Sequence, residues 1–177
     1  MTSGKKTPKA IKSVEELLAH ALAMETEAAE RYAELADQMA VHNNKEMAAL
    51  FQKLAEIEQQ HVHHVSDLSQ GAELPRIPPW EYRWPGPSSP EAIDADDVHY
   101  LTRPYQAIEL ALRHERRGAE FYSELARGAK RADVRELAAK LAAEEEEHVR
   151  WLEQWLARYP KPEGDWDEDP DPPNIPE

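Results

Sequence analysis

The chain has 177 residues, enough for one domain with a real core, and its 35 acidic against 21 basic residues leave a formal net charge of −14. An acid excess of that size excludes a nucleic-acid binder that works through phosphate contacts, because such a protein needs a basic face. There is no cysteine, which excludes disulfides, thiolate zinc sites, iron–sulfur clusters and cysteine nucleophiles.

In chain order, residues 1–12 form a basic, flexible start (Lys5, Lys6, Lys9, Lys12) that leads into no apolar run. The expectation is a cytoplasmic protein that engages no membrane. Proline then punctuates the chain: of 14 prolines, none lies between Lys9 and Leu74 or between Tyr105 and Tyr159. Helix interiors exclude proline, so both windows can hold long helices. Ser13 with Glu16 forms a capping box that opens a helix over 13–41. His42-Asn43-Asn44 makes a turn, and Asn44 caps a second helix over 44–68. A proline-rich crossover occupies 69–102, strapped to the surface by Trp80, Tyr82 and Trp84, with Ser89-Pro90 starting one helical turn. It is too polar to form a core alone, and packing against a second subunit would make a homodimer. Thr102 and Pro104 start a third helix over 103–128. Asp133 with Glu136 opens a fourth over 133–159, ended by Tyr159-Pro160. The tail, 160–177, is acidic and proline-rich; it is expected to be extended or disordered, with Trp166 and Ile175 as its anchors.

The two helical windows repeat one another. Residues 21–36 match 111–126 at nine of sixteen positions, and residues 50–62 match 137–149 at seven of thirteen. Helix pairs that cannot bury their apolar faces alone must pack on each other, so the expected fold is an all-α four-helix bundle with internal twofold symmetry.

Phasing the helices places the polar residues. The first seam runs Val14, Leu18, Ala21, Glu25, Ala28, Tyr32, Leu35 and Met39, at spacings of three and four. The third runs Ile108, Ala111, Glu115, Gly118, Tyr122 and Leu125. The second runs Met47, Phe51, Leu54, Glu58, His61 and Val65, and the fourth Val134, Ala138, Leu141, Glu145, His148 and Leu152. Each helix thus carries an inward carboxylate near mid-length, and two add a histidine three residues later. Four buried carboxylates without counter-charge would repel one another and take up protons. Two divalent cations balance them, and the oxygen-plus-imidazole donor set suits iron, with manganese possible. Glu30, Glu34, Glu120 and Glu124 fall off the seams and are read as surface, as are His63, His64 and most of Glu144–Glu147. His114 also points off the seam. Gly118 costs helix propensity; the expected reason is close helix contact, or else a path for dioxygen or peroxide.

One Glu on each of two helices, with Glu-x-x-His on each of the other two, resembles the ligand set of the ferritin-like di-iron family, and within it rubrerythrin-type and bacterioferritin-type proteins. The resemblance covers both helical pairs and excludes the crossover and tails. It implies two iron ions per chain: Glu58 and Glu145 bridging, Glu25 with His61 completing one metal, and Glu115 with His148 the other. Tyr32 and Tyr122 resemble tyrosines that hydrogen-bond ligand carboxylates in such sites. Three departures matter. Rubrerythrin peroxidases carry a further glutamate in the third helix, where the nearest inward position here is Gly118. They also carry a cysteine-ligated rubredoxin module, so electrons here would come from a separate donor. Bacterioferritin has a haem-ligating methionine where this chain has Gln59, so no haem is expected. The activity implied is Fe(II) oxidation by O₂ or H₂O₂, ferroxidase or peroxidase-like. The alternative is iron storage or delivery without turnover.

Overall fold

The structure, a computed structural model, describes residues 11–93, 98 and 102–161. The basic residues Lys5, Lys6 and Lys9 and the tail anchors Trp166 and Ile175 lie outside them. Four helices form: α1 (Val14–Val41), α2 (Lys45–Leu68), α3 (Pro104–Gly128) and α4 (Ala132–Leu156). None of them is long and apolar enough to cross a membrane.

Local chemistry sets most of the boundaries. The Ser13 hydroxyl accepts the Glu16 N–H at 3.1 Å, which opens α1. The Glu16 carboxylate reaches one residue further back than a closed capping box requires, accepting the Lys12 N–H at 2.8 Å. Asn43 takes a left-handed conformation (φ 56°), which asparagine tolerates, and the Asn44 Oδ1 accepts the Met47 N–H at 3.3 Å to start α2. Pro104 occupies the first position of α3 behind an extended Arg103, while Thr102 is buried. The start of α4 corrects the sequence expectation. Asp133 does not cap; it lies inside the first turn, where it pairs with Arg131 and its Oδ1 accepts the Val134 N–H at 2.9 Å. The Arg131 guanidinium draws that carboxylate to the helix start, where the helix dipole also favours it. Regular α4 ends at Leu156, and Arg158 and Tyr159 add a last turn by donating to the carbonyls of Trp155 and Leu156.

α1 packs along α2 and α3 along α4, and the pairs meet through α1 against α4 and α2 against α3. This is the ferritin-like four-helix bundle. The buried apolar residues fall into two clusters. One joins the end of α1, the starts of α2 and α3 and the end of α4, through Leu35, Met39, Phe51, Leu54, Ile108 and Leu152. The other joins the opposite ends, through Leu17, Met24, Val65, Phe121, Leu125 and Val134. α1 and α4 therefore run one way and α2 and α3 the other, and the crossover must travel the length of the bundle. It does so with Leu74 and Trp84 against one cluster and Ile93 and Val98 in the other.

A buried histidine that the seams did not single out fastens this crossover. The His20 Nδ1–H donates to the Glu16 carbonyl at 2.7 Å and its Nε2 accepts the Arg83 N–H at 3.0 Å, which fixes a neutral tautomer. Burial keeps it neutral by pulling its pKa below the usual histidine value. Tyr82 and Trp84 stack on each other and meet the His20 ring edge-on, and Trp84 continues onto Phe121 of α3. Trp80 corrects the expected strap: it is 83% exposed in a short 3₁₀ turn (Pro79–Glu81) and holds nothing down. A single turn does follow Ser89-Pro90, closed by the Ala92 N–H donating to the Ser89 carbonyl at 3.1 Å. His20→Phe keeps a ring in place but strands the Arg83 N–H, so it should cost about 1–3 kcal/mol. Urea unfolding of the metal-free protein checks this, and an unchanged midpoint would contradict it.

Candidate metal centre

The helical period places one carboxylate of each helix at the same height, between the two apolar clusters. Glu25, Glu58, Glu115 and Glu145 are each at most 5% exposed, although no sequence-neutral core would choose glutamate there. They gather with the histidines as the seams predict. Glu25, Glu58 and His61 bring ligand atoms within 4.8 Å of one another, and Glu115, Glu145 and His148 do the same. In the first group the His61 Nδ1 lies 3.1 Å from Glu58 Oε2 and 3.4 Å from Glu25 Oε2. In the second the His148 Nδ1 lies 3.1 Å from Glu145 Oε2 and 3.3 Å from Glu115 Oε2. The internal repeat thus becomes a repeated geometry. The two imidazoles stack face to face between the groups, their centroids 4.0 Å apart and planes 4° from parallel.

The electrostatics without cations are those of a crowded site. Burial, reinforced by Glu145 and Glu58 against the pull of His61, pushes the Glu25 carboxyl up to about 8. Burial and the surrounding carboxylates also push Glu115 well above the usual range. Glu145 moves the other way: burial opposes its charge, but hydrogen bonding to His148 and Glu115 outweighs burial. Burial likewise opposes a charged His61, yet Glu25 and Glu58 together push it up to about 10. In metal-free protein, bound protons reduce the repulsion among these carboxylates. Oxygen donors with two imidazoles suit iron or manganese, and the nearest partner of the Glu25 Oε2 is the His61 Nδ1, 3.4 Å away, itself a metal-ligating atom of the same group. The residues present fit a pair of such ions.

Tyr32 and Tyr122 are buried in the field of this centre, Tyr32 feeling chiefly Glu58 and Glu115 and Tyr122 chiefly Glu25 and Glu145. Burial pushes both phenols above their usual pKa. The expected hydrogen bond to a carboxylate does not form at Tyr122, whose hydroxyl has no partner among the described residues. The fifth carboxylate is one the seams missed. Glu91, on the crossover, is 3% exposed and forms a third group with Glu25 and Glu145. A crossover has no helical period, so nothing marked it among the other loop acids. His114 is buried as well as off the seam. Burial, with help from Arg117 and Arg113, pushes it down to about 3, which leaves it neutral. Glu30, Glu34, Glu120, His63 and His64 are exposed and Glu124 half-buried, in line with the phasing. A cavity of about 140 Å³, walled by Leu54, Ile57, Trp151 and Leu152, ends on Glu58, Glu115 and His148.

A family model described as Rubrerythrin matches residues 16–83 and 106–169. Among solved structures, the chain is similar to an uncharacterized conserved protein from Magnetospirillum magnetotacticum MS-1. The two share 43% identity with a TM-score of 0.62, over 85% of this chain and 97% of that one. No curated protein matches.

The raised pKa values set a sign for the metal-free protein. Glu25 holds its proton from the ordinary 4.5 up to about 8, so its stabilisation is full below 4.5 and is lost as pH rises through about 8. That of His61 is full below 6.5 and is lost as pH rises through about 10. Below 6.5 the buried, neutral His20 and His114 pull the other way, so the melting temperature of metal-free protein should fall as pH rises from 6.5 to about 10. A flat or rising profile would contradict it.

Proposed function

Because the chain belongs to the rubrerythrin family, we propose that it is a di-iron oxidoreductase that oxidises Fe(II) with H₂O₂ or O₂. Glu25, Glu58 and His61 would hold one ion and Glu115, Glu145 and His148 the other. Manganese fits the same donors. The observation that carries this reading is the pair of matched Glu-Glu-His groups facing each other across stacked imidazoles, in the dry middle of a repeated bundle. When bound, a ferrous pair supplies one electron per ion, so that H₂O₂, two protons and two electrons become two waters.

The chain's own residues supply the setting. Phe51 stacks beside Tyr32 and Phe121 packs beside Tyr122, and burial together with the carboxylate charges keeps both phenols protonated. The cavity bounded by Leu54, Ile57, Trp151 and Leu152 offers a small, uncharged oxidant a way to Glu58, Glu115 and His148. It replaces Gly118 as the path of entry, since that position is filled by the Glu91 carboxylate. With no cysteine in the chain, re-reduction falls to a separate donor. The protein acts in the cytoplasm as a homodimer joined through its crossover, where Trp80 is exposed.

Two measurements test this. Metal analysis after anaerobic Fe(II) loading should find two irons per chain in wild type and in Glu34→Ala, and loss of the pair in Glu58→Ala. Equal metal content in the two variants would overturn the ligand assignment. One H₂O₂ for every two bound Fe(II) should then remove all chelatable Fe(II). Oxidation no faster than that of the same iron in buffer would defeat the activity.

A further inference from the structure

Glu91 reaches the middle of the bundle from a segment that belongs to no helix. Ser89 and Pro90 are buried with it, and the single turn closed between Ala92 and Ser89 aims residue 91 inward. Arg117 of α3 donates to the Ala92 carbonyl at 3.1 Å, so the turn is fastened to the helix one residue before Gly118. Gly118 is where the carboxylate enters. A Cβ added there would stand 2.1 Å from the Glu91 Oε1 and 3.7 Å from the Glu145 Cγ. A side chain there would force the Glu91 carboxylate out of that space. Gly118 has no positive φ, so room for a neighbour, and not backbone conformation, is what requires glycine in mid-helix.

Inside the notch the Glu91 Oε1 is buried with no hydrogen-bond partner among the described residues. A carboxyl group so placed is costly in either protonation state unless a hydrogen-bond donor or a cation meets its oxygens. Its ligand atom lies within 4.8 Å of those of Glu25 and Glu145, one member of each metal-binding group. It therefore sits where the two groups adjoin.

We infer that Glu91 is a seventh ligand of the metal pair, delivered by the crossover through the notch at Gly118. At Gly118, the nearest inward position of the third helix for a further carboxylate, the space is filled by the Glu91 carboxylate from the crossover. This inference rests on the two-metal reading. It adds that loading the centre ties the crossover to the bundle at mid-length.

Titration of metal-free protein with Mn(II), followed by calorimetry, separates the two. Wild type should take two ions per chain; failure to do so would sink the two-metal reading itself. Glu91→Gln keeps the volume and the six other ligands, and should weaken at least one of the two binding steps by about 10-fold or more. Gly118→Ala should weaken binding in the wild-type background by driving Glu91 out of its seat. It should add nothing in a Glu91→Ala background, and Gly118→Glu in that background should restore the lost affinity. Far-ultraviolet circular dichroism confirms that each variant keeps its helices. If Glu91→Gln bound two Mn(II) with unchanged affinity, or if the Gly118→Ala and Glu91→Ala losses simply added, Glu91 would be a buried structural acid and the inference would be wrong.

Discussion

Five carboxylates held at the dry waist of a helical bundle form the constraint on which the rest of this structure depends. The apolar core is divided by them: one cluster runs from Leu35 and Phe51 to Ile108 and Leu152, the other from Leu17 and Val65 to Phe121 and Val134. Either cluster could have continued through the middle with leucine, and the bundle would have been more stable for it. Without cations the centre distributes protons to relieve its own repulsion, raising Glu25, Glu91 and Glu115 and lowering Glu145. That is a functional arrangement maintained against the preference of the fold.

The crossover is the second consequence. Because α2 and α3 run the same way, the connection between them has to pass the waist, and the chain uses the passage. At one end His20, Arg83 and Glu16 lock the segment to α1, with Arg83 Nε donating to Glu16 Oε1 at 2.8 Å. At the waist Glu91 enters beside Gly118. The connection is thus anchored by a neutral histidine and aromatic packing, then placed against the charged centre. A segment that composition alone presents as proline-rich linker turns out to line the site.

How much of this the sequence carried depends on whether a residue belongs to a period. Glu25, Glu58, Glu115, Glu145, His61 and His148 were legible because each interrupts an apolar seam at helical spacing, and the internal repeat shows the interruption twice. The seams also keep Glu30 and Glu34 out correctly. Glu91 was not legible: it sits in a segment without period, among other acids. Its partner Gly118 was conspicuous as a glycine in mid-helix, but only the three-dimensional path of the crossover shows what fills the gap. His20 escaped because a lone histidine on an apolar stretch carries no pattern. The Asp133-Glu136 motif misled because Arg131, an unrelated neighbour, competes for the same carboxylate.

The matched ligand groups stand or fall with the presence of ions among them. Crystals soaked anaerobically in Mn(II) or Fe(II), with anomalous diffraction recorded at the metal edge, test this most directly. Two peaks are expected at the waist, one against Glu25 and His61 and one against Glu115 and His148, with Glu58 and Glu145 between them. Peaks confined to the acidic surface, or a waist that stays metal-free at full soaking, would contradict it.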